Sequence, residues 1–166
     1  MIALVRVDNR LLHGQILETW IPKLGIQEVV VADDEAAGSE LARAAMTLCV
    51  PPELPARIVP LREAPWTALA QKKAPVLVLV RDVSALAAAR ASGLSPDLAP
   101  RVNVGNVHFG PGRKAVTPSV FLSAAELETL RVLAAAGFAI EARAIPSEPP
   151  AGMEDMERRY AGASFG

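Results

Sequence analysis

The chain has 166 residues, 51% hydrophobic and 21% charged, enough apolar material for one sizeable core and too much for disorder. Its 17 basic and 18 acidic residues give a net charge of −1, and no basic run marks a nucleic-acid surface. No apolar stretch reaches the roughly 20 residues that span a bilayer, the start MIALVRVDNR is charged too soon for a secretory signal, and the lone Cys49 makes no internal disulfide, which together point to the cytoplasm.

Residues 2–7 (IALVRV) read as a first strand. Residues 12–24 place Leu12, Ile16, Leu17, Trp20, Ile21 and Leu24 at helical spacing, with Pro22 expected to end or kink the helix and Gly25 to stop it. Residues 28–32 (EVVVA) form a continuous apolar run, the mark of a buried parallel strand. Ser39 is expected to cap a helix reaching about Cys49 with Leu41, Ala45, Leu48 and Cys49 inward. A short strand at 57–60 and a short helix at 63–71 follow.

Residues 76–80 (VLVLV) make the clearest central strand. Asp82 or Ser84 caps the next helix and Gly93 closes it. A strand at 101–104 leads into GNVHFGPG, read as a loop. Short strands near 115–117 and 120–122 precede a helix with a Ser123/Glu126 capping box and an inward stripe of Leu127, Leu130 and Leu133, ended by Gly137. A last strand at 138–145 leads to a proline-rich tail and a helix near 153–160. Strands alternating with helices predict a single α/β domain over residues 1–166, with a mostly parallel sheet, helices on both faces, and functional loops at the strands' carboxyl ends. The tail from about 150 gives no functional signal.

The loop after the first strand is the informative one. Arg6-Val7-Asp8-Asn9-Arg10-Leu11-Leu12-His13-Gly14-Gln15 packs two cations, an acid, two amides and an imidazole into ten residues. Neutral imidazole is a good nucleophile near pH 7, its unperturbed pKa being about 6.5. A phosphoryl group arrives with spread negative charge, and a guanidinium such as Arg10 can pair with two of its oxygens. A helix starting around His13 to Gln15 adds free N–H donors, and Gly14 lets backbone come close. Asp8 is placed to orient His13 or Arg10. The plainer alternative is that this polar cluster only caps the first helix.

RVDNRLLHGQ followed by ETW resembles the active-site segment of the IIB component of the mannose/fructose/sorbose family of the phosphoenolpyruvate-dependent sugar phosphotransferase system. The resemblance continues collinearly through VVVADDEAA, VLVLVRDV and RVNVGNVHFGPGRK, to about Pro150. It implies that His13 is the phosphorylated residue, Arg10, Gly14 and Gln15 bind phosphate, and Asp8 and Asn9 support them. It implies a covalent phosphohistidine at ring nitrogen Nδ1 with no cofactor and no metal. The implied partners are a IIA phosphocarrier domain and a IIC/IID membrane complex that takes the phosphate to a sugar, with peripheral membrane association and self-association. Asn9 departs from the family, which often has a second aspartate there, and Pro22 is unusual.

Two other readings share the fold: a phosphorelay regulator without transport, and a binding module that has lost transfer. Retention of His13 and Arg10 ranks the latter last, and neighbouring genes for IIC and IID would separate transport from regulation. A hydrolase is disfavoured, because no serine or cysteine has a nucleophile's setting. Asp33 and His108 are candidate contributors from neighbouring loops, with helix capping the stronger expectation for Asp33 and a solvated loop position for His108. Gly105, Gly110 and Gly112 form a weak phosphate-cradle pattern. Arg81 and Asp82 are expected to form a local ion pair, and Trp20 and Trp66 to pack in the core or beneath a partner surface.

Overall fold

Valine and leucine runs without polar alternation become strands buried on both faces, and this chain has two of them. The computed structural model describes residues 1–165. Every residue of β2 (Glu28–Ala32) and of β4 (Val76–Val80) is buried. With β1 (Ile2–Asp8), β3 (Ala56–Val59), β5 (Arg101–Asn106), β8 (Ala139–Ala142) and β9 (Ala151–Gly152) they form a seven-stranded sheet in the order β3-β2-β4-β1-β5-β8-β9. All its pairings are parallel except that of β8 with β9. A separate antiparallel hairpin, β6 (Lys114–Thr117) with β7 (Val120–Leu122), lies beyond β5.

Helices cover both faces. One face carries the helical run after β1, α2 (Asp34–Gly38) and α3 (Glu40–Leu48), packed on Leu4, Val29, Val31, Leu77 and Leu79. The other carries α4 (Trp66–Gln71), α5 (Val83–Ala91), α6 (Ala124–Ala135) and α7 (Met153–Gly162), over a larger core that includes Val5, Val7, Val30, Val78 and Val80. The chain therefore leaves neighbouring strands β1 and β5 toward opposite faces, which opens a crevice at their carboxyl ends, where open α/β sheets hold ligands. The expected capping box of Ser123 and Glu126 is present, and Leu127, Leu130 and Leu133 are buried beneath it.

The first helix departs from expectation. Its middle is π-helical over Ile16–Trp20, and only then does α1 (Ile21–Leu24) begin. Pro22 does not end the helix; it sits in the first turn of α1, and the run continues to Gly25, whose φ of 60° closes it. A proline ring collides with the carbonyl one turn back in an α-helix. Widening that turn into a π-segment relieves the collision, and Ile21 N–H bonds back to Ile16 O instead.

Helix α3 has the expected cap but the opposite facing. Leu41 is 81% and Leu48 87% exposed, and Ala45 and Cys49 are exposed as well. Met46 is the residue that packs inward, because Ser39 alone separates α3 from α2 and fixes the rotation at which it meets the sheet. The tail is structured too: β9 extends the sheet, and Met156 of α7 is fully buried. No helix among the described residues is long and apolar enough to cross a membrane.

Candidate active site

Alternation along β1 sends Arg6 and Asp8 to the same face of the sheet, and both side chains are fully buried. Arg6 donates from Nε (3.3 Å) and Nη2 (2.9 Å) to Asp8 Oδ2, and from Nη1 to Asn103 Oδ1 of β5 (2.5 Å). Trp20, carried inward by the π-segment, lies against the guanidinium groups of Arg6 and Arg143, 5.2 and 5.5 Å from its ring centroid. Its indole N–H donates to Ala144 O. The buried cation thus has a carboxylate, an amide and an aromatic face, the set of partners that burial of a charge requires.

After β1 the chain turns sharply. Leu11 N–H bonds to Asp8 O (2.9 Å), and Leu11 itself has φ of 56°, the one positive value outside glycine among the described residues. A leucine held there costs backbone energy, which its buried side chain offsets. The turn folds Arg10 and His13 back over Asp8. Arg10 donates to Asp8 Oδ1 from its backbone N–H (3.0 Å) and from Nε (3.2 Å), to Asp8 Oδ2 from Nη2 (3.3 Å), and to Gln15 Oε1 from Nη2 (3.1 Å). His13 Nε2 lies 3.1 Å from Asp8 Oδ2.

Asp8 is therefore the hub. Burial alone would raise its pKa, but the hydrogen bond from His13, the charge of Arg6 and the hydrogen bonds from Arg10 outweigh it and hold the carboxyl well below its usual range. An ionised carboxylate only accepts, so Nε2 of a neutral His13 must carry the proton, and Nδ1 keeps the lone pair. Nδ1 has no protein partner among the described residues, and the His13 side chain is 19% exposed, beside an Arg10 that is 40% exposed. Helical structure begins at Gly14, so the first N–H groups of the run emerge next to the ring without intrahelical acceptors. A Cβ added at Gly14 would meet nothing within 4 Å.

Comparisons with known proteins place the chain in a family. Residues 2–163 match the protein family described as the PTS system sorbose subfamily IIB component. The chain belongs to that family. It is 27% identical over 161 residues to the mannose-specific EIIAB component of Escherichia coli K12, covering 94% of this chain. It spans about half of that longer relative (48%). It is 24% identical to the sorbose-specific EIIB component of Klebsiella pneumoniae, with 93% of both chains covered. The crystal structure of manxB from Thermoanaerobacter tengcongensis superposes with a TM-score of 0.85 at 26% identity over 96% of each chain.

In this IIB chain, the sequence-predicted residues Asp8, Arg10, His13 and Gln15 do come together, and Asn9 joins three loops. Its backbone N–H donates to Asn106 O (3.0 Å), its Nδ2 to Arg81 O after β4 (2.8 Å), and its Oδ1 accepts from the His108 N–H (2.6 Å). His108 thus reaches the site only through its backbone; its own side chain is exposed. Asp33 does not join. It caps α2 through Ala36 N–H and accepts both Nε (2.8 Å) and Nη2 (2.7 Å) of Arg81. That pairing also corrects the expected Arg81–Asp82 ion pair, since Asp82 is used to cap α5. Gly105 is no part of a cradle loop: it lies in β5, and a Cβ there would land on the Arg6 guanidinium.

Sequence reasoning named neither Asn103 nor Trp20 as part of the site, counted Arg6 in the loop without giving it a role, and gave Gly105 the wrong one. The one signal available was Arg6 itself, a charged residue inside an otherwise apolar strand, which must have a buried partner.

Proposed function

We propose that this chain is a phosphohistidine carrier of a sugar phosphotransferase system. It takes a phosphoryl group onto His13 Nδ1 from a IIA partner and passes it to a sugar at a IIC/IID membrane complex. The observation that carries this reading is the Asp8–His13 hydrogen bond, which fixes the proton on Nε2 and leaves Nδ1 as the nucleophile. The family, and relatives whose names specify mannose and sorbose systems, support the same assignment.

The Nδ1 lone pair forms a new N–P bond as the donor's N–P bond breaks, and that electron pair returns to the donor nitrogen. No proton need move. The ring becomes a phosphoimidazolium, and the buried Asp8 carboxylate neutralises it through Nε2–H. Arg10, half in solvent and held on Asp8 by contacts of 3.2 and 3.3 Å, turns its fork toward the phosphoryl oxygens. The N–H groups of Gly14 and Gln15 add a positive helix end. Catalysis is then positioning and charge stabilisation.

Incubation with phosphoenolpyruvate, the upstream carriers and a purified IIA donor should give acid-labile label on one residue. His13→Ala should abolish it; undiminished label in that variant would overturn the assignment.

A further inference from the structure

The β1–β5 pairing carries an irregularity at the site. Val7 pairs with Val104, yet the next residue, Asp8, pairs with Asn106: one step on β1 against two on β5. Paired residues of neighbouring strands share a face of the sheet. Without the shift, alternation would send Asn106 into the apolar core with Val104; with it, Val107 takes that side. With it, Asn106 stands beside Asp8, on the face occupied by Arg6, Asn103 and the missing side chain of Gly105. Bulges of this kind re-aim side chains next to active sites.

The Asn106 carboxamide is also the odd member of the polar cluster. Its Nδ2 is sealed from solvent and has no acceptor, the single such side-chain atom among the described residues. A buried N–H without a partner is destabilising and uncommon. The adjacent carboxylate cannot relieve it, because both Asp8 oxygens are already taken by Arg6, Arg10 and His13. What the site lacks is an acceptor, and the phosphoryl group of the proposed reaction brings three strong ones.

We propose that Asn106 is a phosphoryl-binding residue, its amide N–H donating to an oxygen of the group carried on His13. This rests on His13 being the acceptor. The donor is held in place by the sheet, not by a flexible loop, and its burial strengthens the bond it makes to an anion. Asn106 thereby stabilises the phosphorylated state specifically and does nothing for the unphosphorylated one.

The test is phosphorylation of the 15N-labelled chain by phosphoenolpyruvate, the upstream carriers and a IIA donor, followed by its side-chain amide resonances. Side-chain amides come only from Asn9, Asn103 and Asn106 and from Gln15, Gln27 and Gln71, and the pair missing from the Asn106→Ala spectrum identifies Asn106. The Asn106 amide proton should move downfield on phosphorylation and return on dephosphorylation. In Asn106→Ala the phosphoryl equilibrium should shift about tenfold toward the donor, the worth of one charge-assisted hydrogen bond. Asn106→Asp should shift it further, by repulsion. Thermal unfolding of unphosphorylated Asn106→Ala should match or exceed that of the parent chain. A phosphorylated parent chain with an unmoved Asn106 resonance overturns this proposal alone. So does an Asn106→Ala variant that loses stability before phosphorylation, since a buried bridging water would then be what the amide serves. A parent chain that takes no label, or His13→Ala that still does, overturns the carrier reading and this one with it.

Discussion

Asp8 Oδ2 accepts from Arg6 on one side and lies 3.1 Å from His13 Nε2 on the other, so one buried carboxylate ties a strand cation to a loop imidazole. It decides which ring nitrogen is free. In 15N spectra the neutral form of the His13 ring should carry its proton on Nε2, and phosphorylation should appear on Nδ1. Asp8→Asn should lower the rate of phosphoryl acceptance by about 100-fold or more, because an amide can stabilise the wrong tautomer. A parent ring protonated on Nδ1 would refute the arrangement.

Arg10 is the mobile cation. Arg10→Ala should reduce kcat/KM for acceptance by roughly 10- to 100-fold, the loss of one or two hydrogen bonds to a charged group. Arg10→Lys should recover only part of this, since an ammonium keeps the charge but not the fork. Full recovery with lysine would show that charge alone matters. Folding stability should change little in either variant, Arg10 being 40% exposed.

Two glycines should respond oppositely to the same change. Gly105→Ala sets a methyl on the Arg6 guanidinium and should cost on the order of 3 kcal/mol in urea unfolding. Gly14→Ala meets open space in a helical residue and should gain about 0.5 kcal/mol, while slowing phosphoryl acceptance where the anion must reach backbone N–H groups. Equal stability effects at the two positions would refute the packing assigned to Arg6.

Acid should weaken the fold in a defined window. Native Asp8 is held well below its ordinary value, whereas in the unfolded chain it titrates near about 4. Between those points the unfolded chain binds more protons. Stability is therefore complete above about pH 4 and falls as pH drops through the native pKa. Asp33 and Glu126, lowered by Arg81 and Arg113 against the opposing effect of burial, contribute with the same sign. Urea midpoints from pH 6 to 2 should fall less steeply for Asp8→Asn than for the parent; parallel curves would exclude Asp8 as a source of the slope.

Much of this was legible in the residues. The apolar runs at 28–32 and 76–80 are strands with those bounds, the Ser123/Glu126 box caps its helix, and Gly25 and Gly137 end theirs with positive φ. These are local matters of side-chain period, caps and backbone freedom. The facing of α3 was not legible, because its apolar stripe was compatible with burial and the turn at Ser39 set the rotation. The site shows the same division. Asp8, Arg10 and His13 lie within six residues, so a turn alone can gather them. Asn103 and Arg143 reach Arg6 from strands β5 and the end of β8.

The sequence by itself determined the chemistry: an imidazole, a guanidinium and a carboxylate in one strand-to-helix loop, and strands apolar enough to be buried. Only the tertiary structure decided the partner of Arg6, the space kept by Gly105 and the face taken by Asn106. Those depend on how β1 and β5 align across about a hundred residues of chain, and strand register is a property of pairing that neither strand encodes alone.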